Sequence, residues 1–248
     1  MKDDDYQLER NIAAFNADTV LHGGYVYTAV NRWSSRYATG RQTDELIRMV
    51  SQHFSPLIRI VDIGCGDGTF TQEIAERFRP SAIRGIDPAA NAVRAARLRI
   101  PPGLSSVVSF ETGDIYGVES RGESLAVVRG VLHHLDRPQD AIAQLARSFT
   151  SVMALEPNGY NPILKIIEKT SSYHREHDEK SYWPPTLNRW FEQAGFAVVV
   201  QKYFCVVPYF CPTTAAKILR FVEPAVESLP VVRHSACGTN LVLYRRQQ

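Results

Sequence analysis

The residues whose types and spacing could do chemistry begin with a glycine-rich stretch, Val61-Asp62-Ile63-Gly64-Cys65-Gly66-Asp67-Gly68. Its three glycines carry no Cβ, so the chain can turn sharply there and approach a ligand closely. The apolar run before the stretch predicts a strand buried on both faces, and the apolar spacing from Thr69 to Phe78 predicts a helix. Because the first N–H groups of a helix are unpaired, they would face such a ligand. The stretch therefore predicts a binding site for a nucleotide-like molecule.

The glycine spacing argues against two familiar kinds of nucleotide site. A dinucleotide fingerprint needs glycines spaced G-x-G-x-x-G, whereas here they fall G-x-G-x-G and position 69 is threonine. A phosphate-binding loop needs the pattern G-x-x-x-x-G-K-[ST], and no lysine lies near this loop. A nicotinamide-dependent oxidoreductase is therefore disfavoured, although it stays an alternative.

Polar residues follow the later predicted strands. Asp87 ends the second strand roughly 20 residues beyond the loop, where a carboxylate can accept hydrogen bonds from both hydroxyls of a ribose. Gly113-Asp114-Ile115 follows the third strand, Arg129-Gly130 ends the fourth, and Glu156 ends the fifth. Since ligands of open α/β sheets bind at the carboxyl ends of the strands, we expect these residues to meet at one edge.

Four motifs in the same order, V-D-I-G-C-G-D-G, I-D-P, G-D-I and V-L-H-H-L, resemble those of the class I S-adenosylmethionine-dependent methyltransferases of the small-molecule type. The resemblance covers roughly the middle half of the chain. It implies an α/β fold, a doubly wound, Rossmann-like, seven-stranded sheet of order 3-2-1-4-5-7-6 with the last strand antiparallel and a helical cap. It also implies methyl transfer from S-adenosylmethionine to the oxygen, nitrogen or carbon of a small-molecule acceptor, without a metal.

The resemblance assigns roles to individual residues. Asp114 would bond the adenine amino group, Ile115 would pack on the adenine ring, and His134 would lie near the sulfonium as the first candidate base. The implied cofactor-binding residues are Tyr27, Arg36, Asp62, Gly64, Cys65, Gly66, Asp87, Pro88, Gly113, Asp114, Ile115, Arg129 and Gly130. The candidate catalytic residues are His134, His174 and His177, and the candidate substrate-binding residues are His133, Glu156, Asn158, Tyr160 and Tyr173.

The segment around His174 and His177 leaves several interpretations open. Three positions apart on a helix, the two rings could share a face and hold a metal. No other histidine or cysteine motif completes a ligand set, so a solvated charge run and a lid over the substrate are both favoured over a metal site. The fourth strand also lacks the N-P-P-Y type of exit found in enzymes that methylate nucleic-acid bases, which counts against a nucleic acid partner.

The elements that must position these residues fit into 248 residues with a net charge of +2 and no basic stripe. We expect an N-terminal helical cap over residues 1–50 and a methyltransferase domain over 51–248, with active-site insertions near 158–185 and 208–236. The second insertion could line a substrate pocket or form a dimer face, so a homodimer is a possible state.

The sequence also bears on the compartment. It contains no apolar run long enough to span a bilayer and no signal-peptide core, so no integral membrane association is expected. Four scattered cysteines favour a cytoplasmic protein with free thiols. A non-catalytic subunit that binds S-adenosylmethionine for regulation stays a second alternative, because binding and turnover are separate properties.

Overall fold

The structure is a computed structural model that describes residues 32–170 and 180–247. Their strands are β1 (Arg59–Ile63), β2 (Ala82–Asp87), β3 (Val108–Thr112), β4 (Leu125–Arg129), β5 (Ser151–Pro157), β6 (Phe196–Phe204) and β7 (Thr239–Arg246). Their helices are α1 (Trp33–His53), α2 (Thr69–Arg77), α3 (Ala90–Leu98), α4 (Pro138–Ser148), α5 (Pro162–Thr170), α6 (Pro184–Gln193), α7 (Thr213–Ser228) and α8 (Pro230–Ala236). Short 3-10 helices span Pro102–Leu104 and Leu132–His134.

The strands form one seven-stranded sheet of order β3-β2-β1-β4-β5-β7-β6. Strands β1 to β5 run parallel to one another, and β7 runs antiparallel to both β5 and β6. This arrangement confirms the predicted strand order. Because Ile63 of β1 is in register with Ile86 of β2 and Val128 of β4, the three strands end together at one edge of the sheet.

Apolar side chains cover both faces of the sheet, which is why the central strands read as continuous apolar runs. On one face, Leu46 and Val50 of α1 and Ile74 of α2 pack against the strands. On the other face, α4 and α6 supply Leu145 and Phe191. Helices on both faces leave the edges of the sheet, and above all its carboxyl edge, as the place where a ligand can reach polar groups.

Helix α1 is continuous with this core. Leu46 and Val50 are fully buried, and the helix runs to His53, across the expected boundary at residue 50. The division into a cap and a main domain therefore stays a prediction, and Tyr27 lies outside the described residues.

The insertion between β6 and β7 folds into α7 and α8, and charged groups join α7 to α1. Arg41 of α1 pairs through Nε with Glu223 Oε1 (3.1 Å) and through Nη2 with both oxygens of Glu227 (2.9 Å each). The other oxygen of Glu223 accepts a hydrogen bond from the backbone N–H of Val206 just beyond β6 (2.7 Å). The same carboxylates thus hold the helical insertion, the exit of β6 and α1 together. Within the described ranges, no helix combines the length and apolarity needed to cross a membrane.

Candidate active site

The glycine loop between β1 and α2 is built from left-handed backbone. Gly64, Gly66 and Gly68 have φ angles of 76°, 54° and 78°, a region that strongly favours glycine. A Cβ at Gly64 would lie only 2.3 Å from Cγ2 of Val131, so this position also has no room for a side chain. The backbone at these three glycines therefore makes the sharp turn that the sequence predicts.

Several N–H groups of this loop already donate to acceptors of the loop itself and of strand β2. Those of Gly64 and Cys65 donate to the carbonyl oxygen of Ile86 (2.8 and 3.1 Å), and that of Gly68 donates to Cys65 (3.0 Å). At the helix start, the N–H of Thr69 donates to Asp67 Oδ1 (3.2 Å). The expectation of unpaired N–H groups at the helix start is therefore wrong for Thr69, and it stays a prediction for the residues that follow. The loop lacks the converging donors of a phosphate site, which suits a ligand without phosphate.

Asp87 is the buried carboxylate that faces the loop from the end of β2. Its Oδ2 accepts a hydrogen bond from the N–H of Gly66, and its Oδ1 accepts one from the N–H of Ala89, both at 2.8 Å. These two bonds fix the carboxylate between the glycine loop and the turn that contains Pro88. Each carboxylate oxygen can accept more than one hydrogen bond, so the group can also serve a pair of neighbouring hydroxyls.

Asp114 is held next to this position. The N–H of Gly113 donates to the carbonyl oxygen of Asp87 (3.1 Å), which joins the two strand exits. Asp114 Oδ1 accepts hydrogen bonds from the N–H groups of Tyr116 and Gly117 (2.8 and 2.9 Å), so Oδ2 is left for an external donor such as an amino group. Ile115 is 3% exposed and packs in the core beneath, which leaves its contact with an adenine ring a prediction.

Asp62 and Arg129 lie on the opposite side of the loop. Burial raises the pKa of Asp62 to about 6, although the Thr71 hydroxyl donates to its Oδ2 (2.5 Å) and the Arg129 charge is near. The Arg129 guanidinium lies 4.2 Å from the centre of the Phe70 ring and donates to Gln42 of α1 (3.1 Å). The Arg129 side chain thus fastens α1 over the end of β4.

Three further predicted cofactor residues take up different positions. The Cys65 thiol packs in the core, where burial raises its pKa, so that only its backbone belongs to the loop surface. Gly130 has a φ of 65° and donates to the carbonyl oxygen of Leu155 (2.8 Å) at the exit of β4. Arg36 is exposed on α1, about one turn before Thr39, whose carbonyl accepts a hydrogen bond from Arg129 (3.4 Å).

A buried histidine–carboxylate pair joins the exits of β4 and β5. His133 Nδ1 lies 2.7 Å from Glu156 Oε2, and Glu156 Oε1 accepts hydrogen bonds from the N–H groups of Val131 and Leu132 (3.1 and 3.0 Å). A carboxylate can only accept, so His133 donates from Nδ1 and its Nε2 becomes the proton acceptor of the ring. The His134 ring lies against that of His133, tilted by 39°, with ring centres 3.9 Å apart. Sequence reasoning placed all three residues at this edge but did not pair Glu156 with His133.

Asn158 and Tyr160 follow in the turn after β5. Asn158 Nδ2 donates to the carbonyl oxygens of His234 and Cys237 (2.8 Å each), and its Oδ1 accepts the N–H of Tyr160 (3.2 Å). This amide ties the turn to the end of α8, which favours a structural role for Asn158 over direct contact with substrate. The Tyr160 ring lies near those of Trp183, Tyr203 and His234. Sequence reasoning missed these three because they lie in distant parts of the chain.

Tyr173, His174 and His177 lie outside the described residues, so the roles given to them stay predictions. Within residues 32–170 and 180–247, no group of three or more histidine, cysteine, aspartate or glutamate side chains is placed to hold a metal ion.

Comparison with known proteins identifies the family. A model of the family described as "Methyltransferase domain" matches residues 61–159. A trans-aconitate 2-methyltransferase from Acidovorax sp. (strain JS42) is 43% identical over 195 residues, which cover 76% of this chain and 70% of that protein. The chain belongs to the S-adenosylmethionine-dependent methyltransferases. A relative of the same name from Rhizobium etli is 40% identical over 76 residues, and that alignment spans only 28% of either chain.

The fold of this methyltransferase also matches solved structures. The magnesium protoporphyrin IX methyltransferase from Synechocystis PCC 6803 with bound SAH superposes with a TM-score of 0.66, covering 88% of this chain and 89% of that one. At 12% identity this likeness establishes the class I fold. Several other curated relatives are matched over less than half of their length, so their activities enter only as proposals.

Proposed function

We propose that this methyltransferase transfers the methyl group of S-adenosylmethionine to a small-molecule acceptor without a metal, and that the acceptor is a carboxylic acid. The observation that carries the proposal is the Asp87 carboxylate fixed above the glycine turn, with the His133–Glu156 pair at the neighbouring strand exits. The acceptor class is suggested by the relatives, which are trans-aconitate 2-methyltransferases.

The polar groups of the site suit the separate parts of S-adenosylmethionine. Asp87 would accept the two ribose hydroxyls, and Asp114 Oδ2 would accept the adenine amino group. The glycine loop, with its N–H groups already paired, would give the methionine portion close contact rather than charge. Arg36, Asp62 and the backbone at Gly130 would surround that end of the cofactor, together with Tyr27.

The chemistry asks mainly for positioning. The cofactor supplies an already activated methyl group, so the protein must hold the acceptor atom in line with it and exclude water. A carboxylate acceptor needs no base, whereas a hydroxyl acceptor would need one. His133, with Nδ1–H donated to Glu156, is oriented to accept a proton at Nε2 and replaces His134 as our first candidate for that role.

The first experiment titrates the purified protein with S-adenosylhomocysteine by calorimetry and compares the Asp87→Asn variant. We expect saturable binding that weakens about 10- to 100-fold in the variant, because a charged acceptor of the ribose hydroxyls is lost. Asp140→Asn, a change at an exposed carboxylate of α4, is the matched control and should bind like the parent protein.

Turnover is then tested by incubating the protein with S-adenosylmethionine and trans-aconitate and measuring the methyl ester by mass spectrometry. Binding of NADH without binding of S-adenosylhomocysteine would contradict the cofactor assignment. Binding of S-adenosylhomocysteine without methylated product from a panel of acids, alcohols and amines would favour the regulatory alternative. The cytoplasmic location and the homodimer stay predictions.

A further inference from the structure

A group of rings stands beside the exit of β5. We call Tyr160, Trp183, Tyr203 and His234 the aromatic wall. The ring centres of Tyr203 and His234 are 4.6 Å apart, and Tyr160 lies 5.7 to 6.3 Å from the other three rings. Trp183 is 59% exposed, and the other three side chains are partly exposed. The wall is therefore open to a ligand rather than closed into the core.

The wall lies on the same side of the sheet as the His133–Glu156 pair. Glu156 of β5 is in register with Asn240 of β7, and Asn240 is in register with Tyr203 of β6. Side chains of residues paired in this way project from the same face of a sheet. Two strand spacings amount to about 10 Å, so a small acceptor can reach from His133 to Tyr203.

Arg233 is the chain neighbour of His234 on α8. Its Nε–H is buried and donates to no acceptor in the part of the chain that the structure describes. Among the same residues, no carboxylate forms an ion pair with it. A guanidinium stays charged at any physiological pH, and Arg233 as a residue is only partly buried, so its charge and N–H donors are available to an anion from outside the chain.

The charge of Arg233 also acts on the aromatic wall. Burial raises the pKa of Tyr203 to about 12, and the nearby Arg233 opposes that rise. The geometric link is His234, the chain neighbour of Arg233, whose ring meets that of Tyr203 edge-on. The turn that carries Tyr160 and the helix that carries Arg233 are joined by the Asn158 amide, which fixes the spacing between them.

We propose that Arg233 binds a carboxylate of the acceptor that is not methylated, while the aromatic wall packs against a flat, unsaturated carbon chain. The inference rests on the proposed function and deepens it, since it assigns acceptor recognition to residues of α8 and β6. A planar guanidinium pairs with both oxygens of a carboxylate, and an aromatic face favours a flat conjugated chain over a bent saturated one. The acceptor class is thus an unsaturated dicarboxylate or tricarboxylate, with one carboxylate near His133 and another at Arg233.

The test is a calorimetric titration of the protein saturated with S-adenosylhomocysteine, using trans,trans-muconate and its uncharged diamide as probes. We expect the dicarboxylate to bind and the diamide to bind at least about 10-fold more weakly. Arg233→Gln should weaken dicarboxylate binding about 10- to 100-fold and leave S-adenosylhomocysteine affinity within about twofold, because only the acceptor contact is lost. Arg233→Lys should recover part of the affinity, since it restores the charge without the planar fork.

Arg94→Gln, at an exposed arginine of α3, is the matched control and should bind both ligands like the parent protein. Equal binding of the dicarboxylate and the diamide, no binding of either, or unchanged binding in Arg233→Gln would overturn the inference. Failure of the parent protein to bind S-adenosylhomocysteine would instead count against the proposed function. The two failures are therefore separate readouts.

Discussion

The buried carboxyl of Asp62 lies in the candidate site and also affects the free energy of unfolding. Its pKa is raised from 3.8 to about 6 by burial, so between these values the folded protein binds more protons than the unfolded chain. The free energy of unfolding therefore falls as the pH rises from about 4 to about 6, and the cost at higher pH is about 3 kcal/mol. We expect Asp62→Asn to remove this cost, because an amide carries no charge but still accepts the Thr71 hydroxyl.

The measurement is urea unfolding of the unliganded protein and the Asp62→Asn variant at pH 4.5 and pH 8. The variant should be the more stable protein at pH 8, and the difference should shrink towards pH 4.5. Asp140→Asn, whose carboxyl is exposed, controls for general charge effects and should follow the parent protein at both values. A difference in the free energy of unfolding between the variant and the parent protein that does not change with pH would contradict the raised pKa of Asp62.

At the scale of elements, the ion pairs of Arg41 with Glu223 and Glu227 form the joint between α1 and α7. Arg41 serves Glu223 and Glu227 at once, and the Glu223 side chain is only 2% exposed. Burial opposes the charge of Arg41, yet the two carboxylates outweigh it and raise its pKa. We expect Arg41→Met to lower the free energy of unfolding by about 3 to 5 kcal/mol, because it leaves two carboxylates without their cation.

Denaturant unfolding of two further variants tests whether unpaired charge is the cause. Adding Glu223→Gln and Glu227→Gln to Arg41→Met should recover part of the loss, since no carboxylate is then left unpaired. Arg77→Met removes the exposed pair with Asp44 and should cost less than about 1 kcal/mol. If Arg41→Met and Arg77→Met proved equally mild, the joint would contribute no more than a surface ion pair.

At the scale of the whole molecule, the residues that we propose to bind the cofactor share one edge of the sheet. We therefore expect S-adenosylhomocysteine to slow amide hydrogen exchange in the turns at the carboxyl ends of the strands, since a ligand that binds only the folded state suppresses local opening around it. These turns are residues 64–68, 87–89, 113–115 and 130–134. The turns at the opposite edge, residues 79–81, 105–107 and 122–124, serve as the internal control. Hydrogen exchange followed by mass spectrometry measures both sets, and equal or greater protection of the opposite edge would contradict the site.

Much of the fold followed from local patterns in the sequence. Continuous apolar runs such as Ile60 to Ile63 predict strands covered on both faces, and the spacing of glycines 64, 66 and 68 predicts the turn, because both signals act between near neighbours. The class of enzyme followed from the motif resemblance, and the order of strands was confirmed with it.

Tertiary structure decided what pairs with what. The bond from His133 to Glu156 joins residues 23 positions apart, and the hydrogen bond from Tyr37 to Glu223 joins residues 186 apart. No local pattern encodes such pairs, since they depend on which strands become neighbours. For the same reason no local pattern indicated that the N–H groups of Gly64, Cys65 and Gly66 would donate to Ile86 and Asp87 of the next strand. The sequence by itself determined the turn and the class of ligand, whereas the packing of distant elements determined which polar groups remain to meet that ligand.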